Sequence, residues 1–155
     1  MKGDIPVWLF ALFPVAFVCL WVVVCGFIAQ MGWAKFARRF SSDRPVPDRA
    51  QRFLWASLAI GRSFGSANYS NCVNVWIDEQ AVYLRPSLPF RAFHPPLRLH
   101  WRDVASVEPR RVFLFNMVEL QVSQDLPPLL FSGRAGRAIS ERWRSTGRRN
   151  QDCVR

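Results

Sequence analysis

The 155 residues carry 21 Lys and Arg against 11 Asp and Glu, a formal net charge of +10, yet half of the chain is hydrophobic. The length excludes a large multidomain enzyme; the 13 Phe, 7 Trp and aliphatic runs exclude disorder throughout, and 4 Cys are too sparse for a disulfide framework. Apolar and basic residues must therefore occupy different parts of the chain.

After a short flank, residues 1–4, no charge occurs from Ile5 to Ala29, and PVWLFALFPVAFVCLWVVVCGFIA is almost wholly apolar. A helix of about 23 such residues rises roughly 35 Å, enough to cross a hydrocarbon core of about 30 Å. A transmembrane helix is predicted over residues 5–31, with Trp8 and Trp33 toward its two ends and a mild kink at Pro14. A cleaved signal peptide would have an apolar core of about 7–15 residues, a cationic start and a small-x-small site. Here the core is longer, Lys2 is offset by Asp4, no Ala-x-Ala follows, and Val18 and Val24 precede Cys19 and Cys25 where a lipoprotein signal needs a small residue. The span is expected to remain uncleaved. Only Lys2 precedes it, whereas Lys35, Arg38, Arg39, Arg44, Arg49 and Arg52 follow, so the positive-inside rule predicts the N-terminus outside and the rest cytoplasmic. Cys72 and Cys153 would then be reduced thiols.

Residues 32–49 read as an amphipathic juxtamembrane helix and a linker. Trp33, Phe36, Ala37 and Phe40 fall on one helical stripe, with Lys35, Arg38 and Arg39 facing elsewhere. Trp33, Lys35, Phe36, Arg38, Arg39 and Phe40 are thus candidate interfacial membrane contacts, the alternative being a plain stop-transfer flank. Pro45 and Pro47 end the helix.

Residues 50–146 change to short period-two segments. Strands are expected at Phe53–Ile60, Tyr69–Ile77, Ala81–Arg85, Leu88–Phe93, Leu97–Trp101, Val112–Phe115, Val118–Val122 and a run ending at Phe131, with a hairpin turn at Asp78–Gln80. Pro86, Pro95, Pro96, Pro127 and Pro128 fall between runs, while Pro89 lies within Leu88–Phe93. Beyond Ser132, a candidate cap, Ala135, Ala138, Ile139 and Trp143 form one face of a C-terminal helix. Residues 147–155 read as a basic, frayed tail. The predicted fold class is a single N-terminal transmembrane helix followed by a mainly-β domain. That domain is a curved antiparallel sheet or barrel of about seven strands closed by a C-terminal α-helix.

VNVWIDEQAVYLRP, FRAFHPPLRLHWRDVASVE and VELQVSQDLPPLLFSG carry a hairpin around the acidic turn Asp78–Glu79. A Pro95–Pro96–Leu97 strand ending in Trp101 follows, then the pair Asp103–Val104. This pattern, over residues 50–145, resembles small uncharacterised bacterial membrane proteins with one N-terminal transmembrane helix and a PH/GRAM-like domain. The resemblance implies a bacterial inner membrane and a PH-like barrel, and it carries no activity. Gln80–Ala81 stands where Gly would suit the turn, so a looser hairpin is expected.

No chemistry is demanded by the residues. His94 and His100 read as polar strand histidines without a third ligand, Cys72 as a buried structural thiol, and Asp78–Glu79 as a solvated turn. No phosphate loop is present, so no catalytic residue, cofactor or metal is assigned. Nineteen of the 21 basic residues are arginine. Arg91, Arg98 and Arg102 on outer strand faces, Arg110 and Arg111 in the following loop, and Arg134 and Arg137 on the last helix are candidate contacts for a protein partner or anionic lipid headgroups. Nucleic acid is disfavoured, since no recognised motif accompanies the charge. The leading expectation is a non-catalytic membrane-anchored interaction module. One alternative is an accessory or immunity-type subunit whose Pro14, Cys19, Gly26 and Trp residues pack against other helices. Another is a lipid-acting enzyme using His94, His100 or Glu108.

Overall fold

A computed structural model describes residues 7–62, 67–112 and 114–152, with side chains described for residue 10, residues 12–62, 67–112 and 114–146. The apolar run forms α1 (Val7–Ile28), passes through a π-helical turn at Ala29–Trp33, and continues as α2 (Ala34–Phe40). Leu12–Phe40 is, among the described residues, the one helix long and apolar enough to cross a membrane. Its upper part is exposed around the whole circumference, as Phe10, Phe13, Phe17, Leu20 and Val23 all are. Its lower part buries one face: Cys25, Ala29, Gly32, Trp33 and Phe36.

Seven antiparallel strands follow: β1 (Gln51–Ile60), β2 (Ala67–Ile77), β3 (Ala81–Pro86), β4 (Leu97–His100), β5 (Ser106–Val112), β6 (Phe115–Gln121) and β7 (Leu129–Ser132). Their order is β4-β3-β2-β1-β7-β6-β5, and α3 (Gly133–Asp152) closes the sheet. Strand β1 turns the corner. Register shifts between Phe53 and Ala56, and again between Ala56 and Leu58, let it pair with β2 along its length and with β7 only at Leu58–Ile60. The core alternates as period two requires: Val73 and Val75, Leu97 and Leu99, Leu129 and Phe131 are all buried. Fully burying each such side chain is worth about 1.5–3 kcal/mol. Ile139 and Ala135 bring α3 onto the core, and Trp143 packs beside Trp101 with ring centroids 6.4 Å apart. An added Cβ at Gly136 would lie 2.7 Å from the Phe131 carbonyl, so only glycine admits this approach of helix to strand.

Several expectations are corrected. Leu88–Phe93 is a 3-10 turn (Leu88–Phe90) and a loop rather than a strand, because Pro89 removes a ladder donor and Pro95–Pro96 prevent pairing from resuming. Val112–Phe115 is the apex of a hairpin: Val112 ends β5 and Phe115 begins β6. The strand Ser106–Val112 went unread because Pro109 interrupts it, and β5 tolerates Pro109 because it lies at the sheet edge. Arg110 and Arg111 are therefore strand residues. Nor is Asp78 solvated. It is buried, and its Oδ1 accepts from the Gln80 and Ala81 N–H groups, both at 2.7 Å, while Oδ2 accepts from Tyr83 OH at 3.1 Å. This Asx-type turn tightens the hairpin without glycine. The helix α3 is described as far as Asp152.

Candidate functional site

Among the described residues the half-barrel has one mouth that its own chain fills and three open clefts, of which the one beside β4 is the most basic. At the mouth, Trp33 and Phe36 are completely buried. Trp33 Nε1–H donates to the Pro95 carbonyl at 2.9 Å, and its ring stands edge-on to Tyr69 and His94, each centroid 5.5 Å away. The Ala92 carbonyl can only accept, so His94 Nδ1 carries the proton across 2.7 Å, and Nε2 accepts from Tyr69 OH at 3.0 Å. Burial pushes His94 below its ordinary value and Tyr69 above its own, so both side chains are uncharged at neutral pH. Gly32 seals the contact: an added Cβ would lie 2.9 Å from Ile60 Cγ2. His94 is thus a buried loop residue rather than a strand histidine. Trp33 and Phe36 face the β-domain, which removes them from the candidate membrane contacts, and Phe40 is partly buried on the same side. Lys35, Arg38 and Arg39 remain exposed.

This basic cleft has a volume of about 520 Å³ and lies between the end of α2, the linker and β4. Arg39, Arg44, Arg98 and Arg102 line it with His100, and among the described lining residues Asp103 is the one carboxylate. Arg39 is partly neutralised by Asp125 at 3.0 Å and Arg102 by Asp103 at 3.8 Å. Arg98 lies over the Tyr83 ring, 5.4 Å from its centroid, and its buried Nε has no hydrogen-bond partner. His100 is pushed below its ordinary value, first by burial and then by Arg98 and Arg102. Ser41 pairs with Leu97 as an isolated bridge and Ser42 N–H donates to the Pro96 carbonyl at 3.0 Å, which holds the linker against β4 and shapes one wall.

The other candidate arginines do not join this cleft. Arg91 lies in the loop after the Leu88–Phe90 turn, and its Nε donates to the Pro86 carbonyl at 3.5 Å. Arg110 is 2.9 Å from Glu119, a buried carboxylate that Arg62 also grips. The Arg62 hydrogen bond, chiefly, holds Glu119 below the usual carboxylate range. Arg111 is exposed on β5, and Arg134 and Arg137 on α3. Among the described residues no hydrogen bond or ion pair joins His94, His100 and Glu108, and no group of three His, Cys, Asp or Glu has metal-binding geometry.

Residue patterns also missed Trp55. It sits in the β1 bulge at φ 55°, a left-handed conformation rare for a bulky side chain, with its N–H on Asn74 Oδ1 at 3.2 Å. Nothing in the alternation of residues 51–60 marks that bulge.

An apolar helix runs into a seven-stranded antiparallel half-barrel closed by a C-terminal helix, the PH-like fold expected from the sequence. No protein-family model matches the chain, and no curated protein does. Among solved structures it is similar to the Vps36 N-terminal PH domain, with 12% sequence identity and a TM-score of 0.47, over 74% of this chain and 92% of that one.

Proposed function

We propose that this chain is a non-catalytic, membrane-anchored interaction module that presents the Arg98–Arg102 cleft to an acidic protein partner. In this reading α1 crosses a bacterial inner membrane with the N-terminus outside, and the β-domain is cytoplasmic. The convergence of four arginines and His100 on a cleft with one carboxylate carries the reading. Each charge-assisted hydrogen bond from such a group contributes about 1.5–3 kcal/mol. The cationic field also speeds encounter with an acidic surface.

Geometry favours a protein over the headgroups of the anchoring membrane. Phe40, at the edge of the cleft, lies twelve residues beyond Ile28, roughly 18 Å along the helix. The headgroup layer takes up about 5–8 Å of that distance, so the cleft lies somewhat beyond the Debye length of about 8 Å and headgroup charge is weakened there. An accessory or immunity-type subunit would use the same surface, and the partner's identity would assign the pathway. The lipid-acting enzyme gains no support, because its three candidate residues are not linked into one site.

The test compares gentle detergent extraction of the tagged full-length protein with that of an Arg98→Ala/Arg102→Ala variant, followed by mass spectrometry of bound material. A stoichiometric protein retained by the parent and reduced at least about tenfold in the variant is expected. Equal retention by both would overturn the cleft as the site. Acidic lipid retained without any protein would return the function to headgroup binding.

A further inference from the structure

The loop that links β3 to β4 lies beside α1. Trp21 Nε1–H donates to the Pro89 carbonyl at 2.8 Å, and the Trp21 and Phe90 rings are 5.3 Å apart. At Gly26 an added Cβ would lie 3.2 Å from Phe93 Cδ2, so the helix and loop meet face to face. Trp21 precedes Ile28 by seven residues, so the contact begins roughly 10 Å inside the apolar end of the helix. Yet Leu88 is 76% exposed and Phe93 62% exposed.

Most of the loop's backbone carbonyls are satisfied from within the chain. A segment in lipid must satisfy its polar groups internally. The Ser87, Leu88 and Arg91 carbonyls accept from the Phe90, Arg91 and His94 N–H groups. Those of Pro86, Pro89, Ala92 and Pro95 accept from Arg91 Nε, Trp21 Nε1, His94 Nδ1 and Trp33 Nε1. Four of these acceptors are therefore served by side chains, two of them from the helix itself. Phe93 adopts φ 61°, a left-handed conformation rare for a bulky residue, and its ring stays largely exposed while touching α1 at Gly26.

We propose that Leu88–Phe93 is a second membrane-inserted element, seated at the boundary of the acyl chains beside α1, with Leu88 and Phe93 in lipid. Arg91, the loop's only charge, is long enough to reach the phosphate layer while its stem stays apolar. The helix and loop together fix how the β-domain sits under the bilayer, which a single helix cannot do. The inference rests on α1 spanning the membrane.

The full-length chain is reconstituted in phosphatidylethanolamine–phosphatidylglycerol vesicles containing a phospholipid with a diazirine in its acyl chain, photolysed, and mapped by peptide mass spectrometry. Leu114 and Phe115, 83% and 71% exposed on the β5–β6 hairpin, act as the internal control. Adducts are expected on α1, and on Leu88 and Phe93 at roughly fivefold or more the yield on Leu114 and Phe115. Adducts on α1 with no excess on the loop would overturn this inference alone. No adducts on α1 would overturn the spanning helix and the inference with it.

Discussion

The mouth and the cleft of this half-barrel sit at either end of one short helical stretch, and they use polar groups in opposite ways. At the mouth every donor of the Trp33–Tyr69–His94 cluster is matched to an acceptor, and the aromatic rings exclude water. In the cleft, cationic groups outnumber their partners and Arg98 Nε is left unmet. A matched, dry cluster adds to stability, whereas an unmatched charged cluster stores capacity to bind. The lesson is that concave shape alone does not mark a site. The chain spends one concavity on holding its helix to its barrel and keeps another for something else.

The comparison breaks most visibly at Trp33. Replacing it with Ala leaves a cavity and an unmet Pro95 carbonyl, and should cost about 3–5 kcal/mol, read as a large fall in thermal midpoint of the full chain in detergent. A loss below about 1 kcal/mol would mean that the mouth is not the anchor described above.

Acidification should act on the same cluster more weakly. Burial holds the folded value of His94 below its ordinary one, so the unfolded chain binds its proton first. Stability from this group is full above the ordinary histidine value of about 6.5, and is lost as pH falls below that toward the folded value. His100 is shifted in the same direction and adds to the trend. A His94→Gln variant should flatten the stability profile between about pH 7.5 and 5 relative to the parent, measured by denaturant titration. An unchanged slope would place the proton uptake elsewhere.

The smallest stability effect is expected from the cleft. Arg98→Ala/Arg102→Ala should change unfolding free energy by about 1 kcal/mol, through the lost packing of Arg98 on Tyr83, while weakening partner retention. A loss comparable to that of Trp33→Ala would recast the cleft as structural and erase the contrast.

Much of this architecture was legible in the residues, because it rests on local and periodic signals. The uncharged run from Ile5 to Ala29 marks the helix by length, Val73-Val75-Ile77 marks a half-buried strand by alternation, and Ala135-Ala138-Ile139-Trp143 marks the closing helix by its stripe. The acidic turn at Asp78 was legible as a turn, but not as a buried one. Its burial comes from Tyr83 and from Trp101 and Arg142, whose nitrogens donate to the Asp78 carbonyl over separations of 23 and 64 residues. The cleft was half-read: Arg98 and Arg102 were candidates, but Arg39 and Arg44 join them only because the linker folds back along β4.

The sequence by itself therefore determined what each segment is: an apolar helix, a set of alternating strands, a basic amphipathic helix. Composition and period act over a turn or a strand, and no distant residue is needed to sense them. Tertiary structure alone decided what each face meets. The stripe of Trp33 and Phe36 suits a bilayer surface and a β-barrel mouth equally, since both offer an apolar surface with polar acceptors at its edge. Only the arrival of Tyr69, His94 and Pro95, more than 30 residues away, selected the barrel.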